Sequence, residues 1–235
     1  MNTRSAHATI KGYFYQFDHT IVQILSATTP ASSVVVEGIE DIDLVDGGNE
    51  TQIQCKYYEG TKYNHSVIKD AIIQMLRHFH KNGCQAVQGF QYRLYGHYES
   101  NQHTLPANFN LDFLKENFLT YTSEKKVHKV YDELTMTDAQ LTIFQGLLKL
   151  DVLAKSYDNQ QQHIGKLLIS QISGCTQEDA DIFYYPNAIN AIQKLAIQSD
   201  AKDRKITKAK FLLAVNRKDV IFSLWLHQKF GDEIG

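Results

Sequence analysis

The chain reads as α/β (α+β): a mixed sheet flanked by helices, followed by an all-helical C-terminal part. Three observations predict this. Phe14, Phe17, Ile21, Ile24 and Leu25 recur at helical spacing near the start of the chain. Two stretches rich in β-branched residues follow, joined by the Gly/Asn/Asp turn Asp46-Gly47-Gly48-Asn49. Beyond a polar interruption at residues 100–110, which includes Pro106, the remaining patterns are helical.

Taken in order, the first helix is expected over residues 11–27 and is closed by Thr28-Thr29-Pro30, since proline disfavours helical geometry before it. Val34, Val35 and Val36 lead a strand expected over residues 33–45, and a second strand covers 50–58. Residues 57–65 make a polar loop. Val67, Ile68, Ala71, Ile72, Met75, Leu76 and Phe79 then define a second helix ending at Asn82-Gly83, and Phe90, Tyr92, Leu94 and Tyr95 mark a strand. In the second half, Thr137-Asp138-Ala139-Gln140 and Thr176-Gln177-Glu178-Asp179 carry capping patterns before apolar helical positions. A last long helix is expected from Thr207 to Phe230, with Phe211, Leu212, Val215, Ile221, Phe222, Trp225 and Leu226 on its apolar face. The expected division is a core over residues 1–100 and a helical extension over 101–235, packed on that core.

Composition sets outer bounds. Twenty-four basic against 26 acidic side chains give a formal charge of −2 over 235 residues, unlike proteins that coat nucleic acid. A local basic surface remains compatible with such a total. Cys55, Cys84 and Cys175 have neither zinc-finger spacing nor an even count, which fits a reducing compartment. No stretch reaches the ~20 apolar residues of a membrane span, and Met1-Asn2-Thr3-Arg4-Ser5 does not read as a secretory leader. The expected location is the cytoplasm, without a membrane partner. No phosphate-binding G-x-x-x-x-G-K-[ST] motif occurs.

The chemistry concentrates in Glu37-Gly38-Ile39-Glu40-Asp41-Ile42-Asp43-Leu44 and Gln52-Ile53-Gln54-Cys55-Lys56. The turn between them brings acids, an amide and an ammonium onto adjacent strands. Gln54 and Lys56, two apart, share a strand face. Clustered carboxylates beside a lysine suit magnesium-dependent phosphodiester chemistry, in which oxygens hold a hard cation and the ammonium meets the attacked phosphate.

This acid, turn, Q-x-K order resembles the PD-(D/E)xK restriction-endonuclease-like nucleases, in particular the Mrr-like branch in which Gln replaces the middle acid. Gly12-Tyr13-Phe14-Tyr15-Gln16, Lys56-Tyr57-Tyr58-Glu59 and the helix from Ser66 look like the nuclease domain that opens bacterial anti-phage effectors, CBASS-type DNases among them. The resemblance covers about residues 10–98. It implies a Mg2+ cofactor, for which Mn2+ can substitute, and double-stranded DNA as substrate. Asp43 matches the metal-binding aspartate, Gln54 the second motif position and Lys56 the third, while Gln16 matches a polar helix position that approaches the site. Asp41 shares strand parity with Asp43 and joins the expected metal set; Glu40 would need a bulge or bend to do so. Such an enzyme endangers its host, so a sensor domain, a regulatory partner or homo-oligomerisation is expected to gate it. The segment Phe230–Gly235 reads as a boundary, with a sensor beyond it.

Plainer readings stand beside these. The acids could be a solvated strand end, Gln54 and Lys56 an edge-strand face, and Gln16 an ordinary polar helix position. Lys62 and Tyr63, in the loop after the Q-x-K strand, and Arg204 and Lys208, in the basic run Arg204–Lys210, are candidate nucleic-acid contacts; packing or a solvated face is the alternative. His78 and His80 are two apart on a helix, unsuited to sharing one zinc, and Cys55 should point into the core. The alternatives to a deoxyribonuclease are an inactive nuclease-like scaffold or DNA-binding module, and an RNase with the same core.

Overall fold

The structure, a computed structural model, describes residues 6–218 together with 226, 228 and 229. The chain opens with helix α1 (Ala6–Ser26), then strands β1 (Ser33–Val36), β2 (Ile42–Asp46) and β3 (Asn49–Tyr58), helix α2 (Ser66–Lys81) and strand β4 (Phe90–Tyr98). Helix α3 (Leu111–Phe118) leads to a small antiparallel pair, β5 (Thr120–Ser123) and β6 (Lys126–Lys129). Next come α4 (Val130–Glu133), α5 (Asp138–Leu147), β7 (Leu148–Asp151) and α6 (Tyr157–Gln171). Finally α7 (Gln177–Asp179) runs through a wide helical turn into α8 (Tyr185–Ala196), followed by β8 (Lys205–Thr207) and α9 (Lys208–Val215).

The central sheet has six strands in the order β7-β4-β3-β2-β1-β8. β4 lies parallel to β3 and β7; the other pairings are antiparallel. Helices cover both faces, as the mixed pairing requires. One face, with Val34, Val36, Ile42, Ile53, Cys55 and Tyr95, packs beneath α1, α6, α8 and α9. The other, with Tyr92, Leu94, Tyr98 and Leu148, packs beneath α2, α3 and α5.

The helix, hairpin, helix, strand order of the first half is present, and both threonine caps form full capping boxes at α5 and α7. Three expectations need correction. First, the second half is not all-helical: β5 to β8 belong to it, and β7 and β8 extend the central sheet at both edges. Runs of four and three residues carry too little alternation to declare themselves; pairing makes them strands. Second, the helix expected from Thr207 begins at Lys208: Thr207 closes strand β8 and caps the helix, its hydroxyl accepting from the Lys210 N–H at 3.3 Å. Helix α9 ends at Val215; Ile221, Phe222, Trp225, the segment Phe230–Gly235 and residues 1–5 lie outside the described residues. Third, the strand expected over 33–45 is two strands. Glu37, at φ 51°, breaks it, and the Glu37 N–H donates to the Asp41 carbonyl at 2.9 Å to close a turn.

Candidate functional site

The β2–β3 connection sets the geometry. Gly47 and Gly48 have φ of 58° and 86°, the two left-handed residues that a tight two-residue hairpin needs and that glycine supplies without strain. Asp46 faces Asn49, and the register then places Asp43 opposite Gln52 and Ile42 opposite Ile53. Asp41 therefore comes across from Gln54. Its Oδ2 accepts from Gln54 Nε2 and from the Cys55 backbone N–H, the latter at 2.7 Å. Burial pushes the Asp41 carboxyl above the usual carboxylate range, against hydrogen bonds from Cys55, Gln16 and Gln54 and the charge of Lys56.

Asp43, the aspartate expected to meet Gln54, does something else. Its Oδ2 accepts from the Ile39 N–H at 2.8 Å and its Oδ1 from the Glu40 N–H at 3.3 Å, so it ties down the turn between β1 and β2. Gly38 is required for this. A Cβ on Gly38 would sit 2.1 Å from Asp43 Oδ2, so any side chain there would eject the carboxylate. This arrangement moves the carboxylate role beside Gln54 from Asp43 to Asp41. The same turn provides the bend that Glu40 needed. Burial, together with the charges of Asp41 and Asp43, pushes the Glu40 carboxyl up to about 7, and Lys56 opposes that rise.

Gln16 approaches the cluster from α1, where it opposes the rise of the Asp41 carboxyl, and its Oε1 is buried without a partner. Lys56 follows Gln54 on the same strand face and lines a cleft of ≈ 380 Å³ between α1 and the end of β3. The structure thus brings Gln16, Glu40, Asp41, Gln54 and Lys56 into one neighbourhood, with Asp43 behind them as its turn anchor. A groove of ≈ 800 Å³ lies elsewhere, along β4 and β7, and contains none of these residues.

The expected nucleic-acid contacts divide. Lys62 is exposed in the loop after β3. Tyr63 is only 1 % exposed and packs in the core beneath α2, its hydroxyl 3.2 Å from His65 Nδ1, so it is not a surface contact. Lys208 is corrected likewise: its Nζ donates at 2.8 Å to the carbonyls of Leu25 and Ala27 and secures the C-terminal end of α1. Arg204 donates to the Glu37 carbonyl, bracing the turn beside the acids instead of standing free. His78 bonds Tyr92 at 2.7 Å, and Cys55 is buried in the α1-side core, where burial raises its thiol well above its ordinary value.

Among the described residues no three His, Cys, Asp or Glu side chains form a ready metal cage. Magnesium asks for less, since it binds commonly through one or two carboxylates and completes its shell with water and phosphate. Glu40, Asp41 and an amide oxygen of Gln54, with the orphaned Oε1 of Gln16 nearby, are chemically suited to that minimal set. The raised acids have an energetic reason to welcome a dication.

The fold has a solved counterpart. A Cap4 SAVED/CARF-domain containing receptor from Moraxella osloensis matches with a TM-score of 0.50 at 10% identity, over 90% of this chain and 49% of that one. The chain therefore spans about half the length of that receptor chain. No protein-family model matches, and no curated protein sequence matches. Among the described residues no helix is long and apolar enough to cross a membrane.

Gly12, on the cleft wall, entered the motif reading only as part of a flanking pattern, and Lys11 beside the cleft did not enter it. An isolated glycine inside a helical pattern is unfavourable unless something approaches it.

Proposed function

We propose that the chain is a magnesium-dependent DNA endonuclease, working as a gated effector in bacterial anti-phage defence. The observation that carries this reading is the pairing of Asp41 with Gln54 across the hairpin, with Lys56 two residues further on the same face. Glu40 and Asp41 would hold the metal, and Gln54 would contribute its amide oxygen. Magnesium bound there supplies Lewis acidity and acidifies a water near the attacked phosphorus. Lys56 meets the phosphate and offsets the charge that develops on its oxygens. Gln54 and the Cys55 N–H orient the Asp41 carboxylate, and Gln16 favours its charged form from the α1 side. The resemblance of the hairpin and its flanks to anti-phage nucleases supports the defence setting, as does a fold shared with half of a Cap4 receptor. Gating by a sensor, a partner or self-association follows from the hazard of an unregulated DNase.

The test is cleavage of plasmid and linear duplex DNA with Mg2+, Mn2+ or EDTA, using wild type, Asp41→Asn and Lys56→Ala. Metal-dependent cutting that both variants lose is the expected result. Cutting that survives Lys56→Ala rejects the assignment. Parallel single-stranded DNA and RNA arms expose an RNase, and wild type that stays inert under forced oligomerisation and with neighbouring-gene products favours a scaffold.

A further inference from the structure

The cleft between α1 and the outer end of β3 has features that the metal cluster does not use. Its α1 wall is the face carrying Ala8, Gly12 and Gln16, one helical turn apart. An interior glycine weakens a helix relative to alanine. Nothing in the packing of Gly12 repays that weakness: a Cβ there would meet no atom within 4 Å, so the space is open. The opposite wall ends in Lys56 and Tyr58, and Tyr13, 53 % exposed, stands at the rim. Beside the cleft, Lys11 reaches from α1 to Glu59 just after β3, with Nζ 2.6 Å from Oε2 and 5.5 Å from the ring centres of Tyr57 and Tyr157. Cation–π attraction to the two rings adds to the ion pair.

Resting on the nuclease reading, we propose that this cleft seats the sugar–phosphate backbone of the strand being cut, and that one of its phosphates takes the place of the Glu59 carboxylate on Lys11. The side chain of Glu59 is 60% exposed, and an exposed ion pair is weak, so a polyanion can displace it. Gly12 leaves the helix surface bare where a backbone must pass closely. Contacts of this kind position a strand and carry no sequence information. Glu59 thus acts as a resident stand-in for phosphate, and it keeps the cleft from holding other anions.

The experiment measures equilibrium binding of a labelled duplex oligonucleotide in EDTA at several salt concentrations, with thermal unfolding of each variant alongside. Glu59→Gln is expected to bind about two- to fivefold more tightly. Lys11→Met should bind more weakly and shallow the salt dependence by about one charge. Gly12→Ala should unfold at a higher temperature than wild type. Gly12→Leu should fold as well as wild type and bind roughly tenfold more weakly. Gly12→Leu that folds and binds like wild type, or Glu59→Gln that binds no tighter, overturns the inference while leaving the endonuclease reading intact. Wild type that binds no DNA, either alone or under forced oligomerisation with magnesium present, overturns both.

Discussion

The two ends of the β2–β3 hairpin carry acids under opposite conditions. At the turn end, Asp46 Oδ1 accepts from the Thr28 N–H at 2.8 Å, the Thr28 hydroxyl at 2.7 Å and the Ser32 hydroxyl. Burial is the largest single influence and acts to raise its carboxyl, but the hydrogen bonds from Ser32 and Thr28 together hold it below the usual range. At the open end, Glu40, Asp41 and Asp43 lie within a few residues of one another, and burial raises all three. Asp46 has the donors it needs from its own chain. The open-end acids remain in want of positive charge, which Lys56 supplies only in part. A single hairpin thus separates a carboxylate that hydrogen bonds hold below the usual range from carboxylates that burial holds above it.

The sharpest way to break this contrast is Lys56→Ala, which should lower DNA cleavage about a thousandfold, or about 4 kcal/mol of transition-state stabilisation, with little change in melting temperature. An equal loss of folding would make Lys56 structural. Next in size is metal binding. Magnesium at one hundred times its dissociation constant should stabilise wild type by about 2.7 kcal/mol, and Asp41→Asn should abolish that shift in calorimetry without any DNA present. Asp43→Ala should cost about 2 kcal/mol of stability through two backbone N–H groups left without their acceptor, yet retain the magnesium-induced shift that Asp41→Asn loses. The reverse pattern would return the metal role to Asp43.

The smallest effect belongs to the turn end. Asp46→Ala should cost about 1 kcal/mol in chemical denaturation, discounted for its exposure, and leave cleavage unchanged. Because its folded pKa is depressed, Asp46 contributes stability that is fully present above its unfolded value and lost as pH falls through the folded one. Wild type should therefore lose more stability than Asp46→Ala on acidification below the ordinary carboxylate range.

The residues that gather at the open end of the hairpin are legible in the sequence, and their pairing follows from the turn. Counting outwards from the two-residue loop at Gly47 and Gly48 pairs Asp43 with Gln52 and puts Asp41 across from Gln54. Strand parity alone cannot separate Asp41 from Asp43, because both point to the same face. Register separates them. The helix pattern and the capping boxes announced themselves because each is local. The burial of Tyr63 and Lys208 did not, since it depends on segments far away in sequence: Tyr63 donates its N–H to the Ser100 carbonyl, and Lys208 reaches back to α1. β7 and β8 were hidden for the same reason, being strands only because β4 and β1 offer them an edge.

That edge has a consequence for how the protein is made. β1 lies between β2 and β8, so Val34 and Val35 complete their pairing only with Ile206 and Lys205, some 170 residues later in the chain. Until the ribosome has synthesised that distant strand, the partly built sheet has an open valine edge. Arg204, which braces the turn beside the acids, arrives at the same moment. Released chains truncated before residue 204 should therefore be protease-sensitive at β1, whereas chains that include β8 and α9 should resist. In such an order of synthesis, the acid cluster is made early and braced late.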